Sequence, residues 1–179
     1  MKVFIDPGHG GSDPGAVNSI TGLREADVNL NVAVKLGRLL QAHGHSVQYA
    51  RLSDETVTLS ERAWQADTWG ADYFISIHCN ASDNPDTRGA ETLCYRFETT
   101  AAAIAQYVQD ALVISGGLVD RGVKAQDLAV LRLTNMPAIM VKLAFISNNQ
   151  EADMLMANNF CQSCAEGIAI GFTDFIRHH

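Results

Sequence analysis

The sequence predicts an α/β fold: a mostly parallel, twisted sheet of about six strands with helices on both faces. Three observations predict it. Strand-like and helix-like segments alternate along the chain, as in consecutive βαβ units. The segment Tyr73–His78 is almost wholly apolar, the pattern of a strand covered on both faces. The chain has 179 residues, 47% hydrophobic and 18% charged, which suits a single domain spanning 1–179.

The elements follow in order. Val3–Ile5 reads as a short buried strand, ended by the turn-forming run Pro7-Gly8-His9-Gly10-Gly11. Ala26 to Ala42 carries Val32, Ala33, Leu36, Leu39 and Leu40 at helical spacing, and His43-Gly44-His45 breaks it. Ser46–Leu52 is a second strand. Thr58-Leu59-Ser60-Glu61 has the form of a capping box, launching a helix through Trp69 that stops at Gly70. Tyr73–His78 is the third strand and Ala90–Arg96 the fourth. A helix from about Thr99 to Ser115 ends at Gly116-Gly117. Leu128–Leu133 and Ile139–Ile146 complete the strand set, and helices over Gln150–Ala157 and Phe160–Ile176 close the chain.

Composition removes several function classes. The formal net charge is −7 with no Lys/Arg cluster, so the basic footprint that nucleic acid requires is missing. No segment approaches the roughly 18 apolar residues of a membrane span. The N-terminus has no signal-peptide pattern, which is expected of an excised domain or of a protein kept in the cytoplasm until lysis. Cys161 and Cys164 lie three apart in a helical pattern and read as core thiols. With only Cys79 and Cys94 besides them, there is no second pair for a structural zinc site.

The six histidines sort by position. His43 and His45 flank a turn glycine and are expected in solvent, while His178 and His179 end the chain, where order is expected to be poor. His9 follows the first strand and His78 ends the third, and the carboxyl ends of strands are where α/β sheets gather functional groups. Two imidazoles and a carboxylate suit zinc with an open position, and Glu25, just before the first long helix, is the carboxylate candidate. The alternatives are a turn histidine, a hydrogen-bonded strand-end histidine and a carboxylate placed to favour the helix dipole.

Six motifs occur in order: IDPGHGG (Ile5–Gly11), Glu25, SIHCNAS (Ser76–Ser82), GAETLCY (Gly89–Tyr95), RGVKAQDLAVLR (Arg121–Arg132) and MPAIMVKLAFISN (Met136–Asn148). Together they resemble the catalytic domain of zinc-dependent N-acetylmuramoyl-L-alanine amidases, bacterial autolysins and endolysins acting on the cell wall. The resemblance implies Zn²⁺ on His9, Glu25 and His78, and peptidoglycan as substrate, cut between N-acetylmuramic acid and the L-alanine of the stem peptide. It implies the cell wall as the place of action; a monomer is expected.

One position departs from the family pattern. Where relatives carry a glutamate as general base, in a run of the form Val-Glu-x-x-Phe-x-Ser-Asn, this chain has Lys142. A lone lysine in an apolar strand either snorkels to water or faces the metal site. Loss of a general base predicts impaired hydrolysis, with a catalytically inactive zinc- and peptidoglycan-binding module as the alternative. Glu91 is the candidate to take over the proton shuttle, against an edge-strand surface carboxylate. Asp6 is expected to orient His9 or its loop, and Asn80 to donate to a substrate carbonyl. Asp127 and Arg132 are assigned to the fold.

Overall fold

The computed structural model describes residues 1–179. Six strands, β1 (Lys2–Pro7), β2 (Ser46–Tyr49), β3 (Tyr73–Asn80), β4 (Ala90–Cys94), β5 (Asp120–Ala125) and β6 (Ala138–Phe145), form one sheet in the order β2-β1-β3-β6-β4-β5. All neighbours are parallel except β4 and β6, which pair antiparallel. The six helices are α1 (Glu25–Ala42), α2 (Leu59–Trp69), α3 (Thr100–Gly116), α4 (Ala129–Leu133), α5 (Asn149–Met156) and α6 (Asn158–His178). The α/β class, strand number and mostly parallel sheet agree with the sequence.

The two faces of the sheet carry unequal cores, and the side-chain alternation of the strands decides which residue goes where. Val3, Ile5, Ile75, Ile77, Ile139 and Val141 point to the face packed by α1, α3 and α6, in a cluster of 31 buried residues. Phe4, Phe74, Leu93, Ala138 and Met140 point the other way into a cluster of 10, against which Trp69 of α2 and α4 residues Val130 and Leu131 pack. Cys161 and Cys164 are fully buried in the larger cluster, as core thiols should be.

The ends of α2 follow the sequence closely. Thr58 and Glu61 make both reciprocal hydrogen bonds of a capping box, and Gly70 ends the helix in the left-handed conformation.

Three sequence expectations are corrected. The fifth strand is Asp120–Ala125, not Leu128–Leu133, and the latter segment contains α4. A short apolar run has no decisive period, and here Val130 and Leu131 bury against the smaller core as one turn of helix. β5 itself, with the sequence DRGVKA, is a charged, solvated edge strand and shows no apolar alternation. His45 is half-buried rather than in solvent: its ring packs edge-on against Phe172 at 5.5 Å, and burial lowers its pKa. His178 and His179 pack on Tyr107 and Phe175 instead of trailing from the chain end.

The topology fixes one crevice. From β1 the chain runs through α1 to β2 on one side, whereas β3 is followed by strands on the other side. The sheet's switch point therefore lies between β1 and β3, at their carboxyl ends. His9 and His78 both arrive there.

Candidate metal centre

His9 sits two residues beyond β1 on a loop pinched by bridges between Gly10 and Asp13 and between Val17 and Arg24. Its own φ is 61°, a left-handed value that non-glycine residues adopt rarely and that persists only when neighbours enforce it. The enforcement comes from two buried arginines. Arg51 donates to Pro7 O (3.0 Å), Gly8 O (3.0 Å) and Ala26 O (2.8 Å). Arg62 donates to Pro7 O (2.7 Å) and His9 O (2.9 Å). The Arg62 charge is balanced by Asp6, 2.5 Å away, whose other oxygen accepts from Ser76 at 2.7 Å.

The return of the loop delivers Glu25 as the first residue of α1. Its buried carboxylate accepts from Ala16 N through Oε2 and from Cys79 N through Oε1, both at 3.0 Å. Oε1 also lies 2.9 Å from His78 Nδ1 and 3.3 Å from His9 Nε2. The donor atoms of His9, Glu25 and His78 all fall within 4.8 Å of one another, and the two imidazoles meet edge to face with centroids 4.9 Å apart.

The glycines beside these residues are there for close approach. A Cβ on Gly8 would stand 2.2 Å from His78 Cε1, and one on Gly15 2.7 Å from His9 Cδ2 and 2.8 Å from Glu25 Oε2. The isolated histidine between glycines is thus explained: bare backbone lets two rings and a carboxylate converge.

The electrostatics suit a bound cation. His9 Nδ1 lies 2.7 Å from Asp13 Oδ2, and a carboxylate only accepts, so Nδ1 carries a proton and Nε2, 3.3 Å from Glu25 Oε1, is the nitrogen that would turn its lone pair to an ion. The hydrogen bond with Glu25 raises the His9 pKa against the effect of burial, with Asp13 adding to it. Burial dominates at His78 and lowers its pKa despite Glu25. Burial also opposes the charge on Glu25, but hydrogen bonds from His78 and His9 outweigh it and hold the carboxyl far below the usual carboxylate range. Two imidazole nitrogens and an ionised oxygen gathered at one point form a donor set a divalent ion would satisfy.

A cavity of about 320 Å³ opens on His9 and His78, walled by Asp13, Thr58 and Arg62. A larger one, about 710 Å³, lies at the opposite end of the sheet around Tyr73, Phe175 and His179. It holds no cluster of metal-binding side chains, so the chemistry points to the smaller cavity.

The remaining candidates fall along the sheet. Lys142 of β6 pairs in register with His78 on one side and with Glu91 of β4 on the other, so the three side chains share a face in a row. Lys142 Nζ donates to Cys79 O at 3.3 Å, beside the donor set. Asn80 donates to Glu91 Oε1 at 2.9 Å, and Glu91 Oε2 receives Lys124 (2.5 Å) and Arg121 (3.2 Å). Asp6 does not touch the His9 ring. It acts on the loop through Arg62, and the carboxylate on the ring is Asp13, which the sequence reading passed over. Asp127 and Arg132 pair with each other on the surface, away from these groups.

Fold and site together define an α/β domain with a two-histidine, one-carboxylate centre at its topological switch point. Residues 3–174 match the family model for N-acetylmuramoyl-L-alanine amidase, and the chain belongs to that family. It is 38% identical over 180 residues to the N-acetylmuramoyl-L-alanine amidase CwlM of Bacillus licheniformis, covering 96% of this chain and 67% of the relative. It is 39% identical to a sporulation-specific N-acetylmuramoyl-L-alanine amidase of Bacillus subtilis, covering 96% of this chain and 66% of that one. The catalytic domain of CwlV from Bacillus (Paenibacillus) polymyxa superposes with a TM-score of 0.93 at 32% identity, covering 98% of each chain. The chain thus spans about two thirds of the length of those Bacillus relatives.

Proposed function

We propose that this chain is the catalytic domain of a zinc-dependent peptidoglycan hydrolase that cuts the amide between N-acetylmuramic acid and the L-alanine of the stem peptide. Lys142 impairs it. The observation that carries the reading is the convergence of one ring nitrogen each of His9 and His78 and one carboxylate oxygen of Glu25 within 4.8 Å of one another in a member of this family. Zinc in such a site supplies Lewis acidity, lowering the pKa of water to about 7 and polarising a carbonyl.

The chain's own residues do the rest. Asp13 fixes the His9 tautomer, and the Arg51 and Arg62 clamp holds the loop against the imidazole's strained backbone. Gly8 and Gly10 are buried and leave room for the His78 ring and for the Arg51 side chain. Amide hydrolysis also needs a group that accepts a proton from water and returns it to the leaving amine. Lys142, where the family pattern has glutamate, presents an ammonium at that place, and a protonated amine has no lone pair to accept with. Glu91 is a poor substitute. Burial opposes its charge, but hydrogen bonds from Lys124, Asn80 and Arg121 prevail and depress its pKa, so its oxygens are occupied and weakly basic.

A second reading rests on the same lysine: a module that binds zinc and peptidoglycan but does not turn it over, with the ammonium beside His78 serving as an anion contact. Incubating zinc-loaded protein with purified cell walls separates the two. Slow release of alanine amino groups, abolished by chelation and by His9→Ala, supports the hydrolase. Wall binding without release supports the module. Cleavage between sugars or within the peptide overturns both.

A further inference from the structure

We propose that Lys142, Lys124 and Arg121 form a carboxylate-binding subsite beside the metal centre, one that takes an acidic residue of the peptide on the amine side of the cleaved bond. The inference rests on the amidase reading and names a determinant of its specificity.

The chain is acidic overall, with 20 Asp and Glu against 13 Lys and Arg. Locally the balance inverts. At one level of the sheet His78, Lys142 and Glu91 stand side by side on β3, β6 and β4, and from the next strand Arg121 and Lys124 fold back onto Glu91. Two cations, Arg121 and Lys124, meet the one carboxylate of Glu91, and Lys142 stands on the strand beside it. Glu91 is only 12% exposed, whereas the Arg121 and Lys124 side chains are 33% and 46% exposed. The buried acid anchors cations that face outward.

They are also pre-arranged. The Arg121 guanidinium lies 5.0 Å from the Phe145 ring centroid and donates through Nη1 to Arg88 O at 3.3 Å. Its Nη2 has no protein acceptor, and Lys124 and Lys142 each make a single hydrogen bond. Holding these long side chains in place beforehand reduces the ordering cost of capturing an anion. A planar guanidinium with free N–H groups suits a carboxylate in particular.

Distance supplies the register. Neighbouring strands are about 4.8 Å apart, so Lys142 stands one spacing from His78, Glu91 roughly 10 Å away, and β5 one strand further. An extended peptide advances about 3.3–3.6 Å per residue, so a carboxylate on its second residue lies roughly 7 Å from the cleaved amide. That is beyond Lys142's strand and short of β5, a stretch flanked by Lys142 on one side and by Arg121 and Lys124 on the other.

Titration calorimetry of the zinc-loaded full chain tests this with two probes. One is N-acetylmuramyl-L-alanyl-D-glutamic acid γ-methylamide, whose only peptide carboxylate is the α one, and the other the same compound with that α-carboxyl amidated, with ligand integrity checked after each run. The carboxylate form should bind about tenfold tighter, as a charge-assisted pair predicts, and the preference should shrink in high salt. Arg121→Gln with Lys124→Gln should bring the ratio towards one while the amide form still binds, which shows that the groove remains folded. Equal binding of both probes by the parent overturns the proposal, as does a preference that survives the double substitution. Failure of both probes to bind overturns the amidase reading along with it, a result distinct from equal binding.

Discussion

Gly8→Ala is a sharp test of how the centre is built, because its effect is steric and local. Gly8 has no left-handed backbone requirement, so alanine is conformationally acceptable there. The added methyl would nevertheless sit 2.2 Å from His78 Cε1 and 2.3 Å from Nε2, where about 3.4 Å is ordinary contact. The ring or the loop must therefore move by about 1 Å, several times the roughly 0.2 Å tolerance of a zinc–ligand bond. Overpacking of this kind costs about 1–3 kcal/mol, which for a domain of this size lowers Tm by roughly 2–12 °C. Zinc affinity, measured by competition with a chromophoric chelator, should fall by about 10–100-fold, the range seen when ligand orientation is lost. Gly44→Ala is the control: its φ is +83° and nothing lies within 4 Å of the new Cβ. It should lose about 1 kcal/mol of stability from backbone strain and leave zinc affinity unchanged. Affinity of the Gly8 variant within twofold of the parent would refute the packing account.

Other outcomes follow from the same geometry. Arg62→Leu strands the buried Asp6 carboxylate and should cost about 3–5 kcal/mol, visible as a large drop in urea midpoint; Asp6→Asn in the same chain should recover part of it. Zinc at 100 times its Kd should stabilise the parent by about 2.7 kcal/mol, a rise in Tm absent after chelation and absent in His78→Ala. Thr58→Ala removes the reciprocal cap of α2 and should cost about 0.5–2 kcal/mol in thermal melts without altering zinc binding.

Much of this arrangement was legible in the sequence because it depends on period and punctuation. The apolar run Tyr73–His78, the capping box at Thr58 and the helical spacing of α6 are local signals that the tertiary structure reinforces. His9 and His78 could be paired because parallel topology sends strand ends to one edge. The misses have physical causes. β5 carries Arg121, Gly122 and Lys124 because it is an edge strand whose side chains serve Glu91 rather than a core, so its apolar pattern is absent. The Leu128–Leu133 segment is too short for a period to separate strand from helix. No motif marks Arg51 or Arg62 in the sequence, and they are buried because the carbonyls of a strained loop need donors. Asp13 could have been found as the carboxylate four residues after His9 on the same turn. Asp6 drew attention because it is nearer in sequence, but strand alternation turns it towards Arg62 and Ser76.

The central claim is that the metal centre is complete and that Lys142 is the lesion in the proton path. The most direct test compares the parent with Lys142→Glu, both zinc-loaded, on purified peptidoglycan, counting newly exposed alanine amino groups. Release should be about 10²–10⁴-fold faster from Lys142→Glu, with zinc content equal in the two. Equal rates would contradict it and place the proton shuttle on another group.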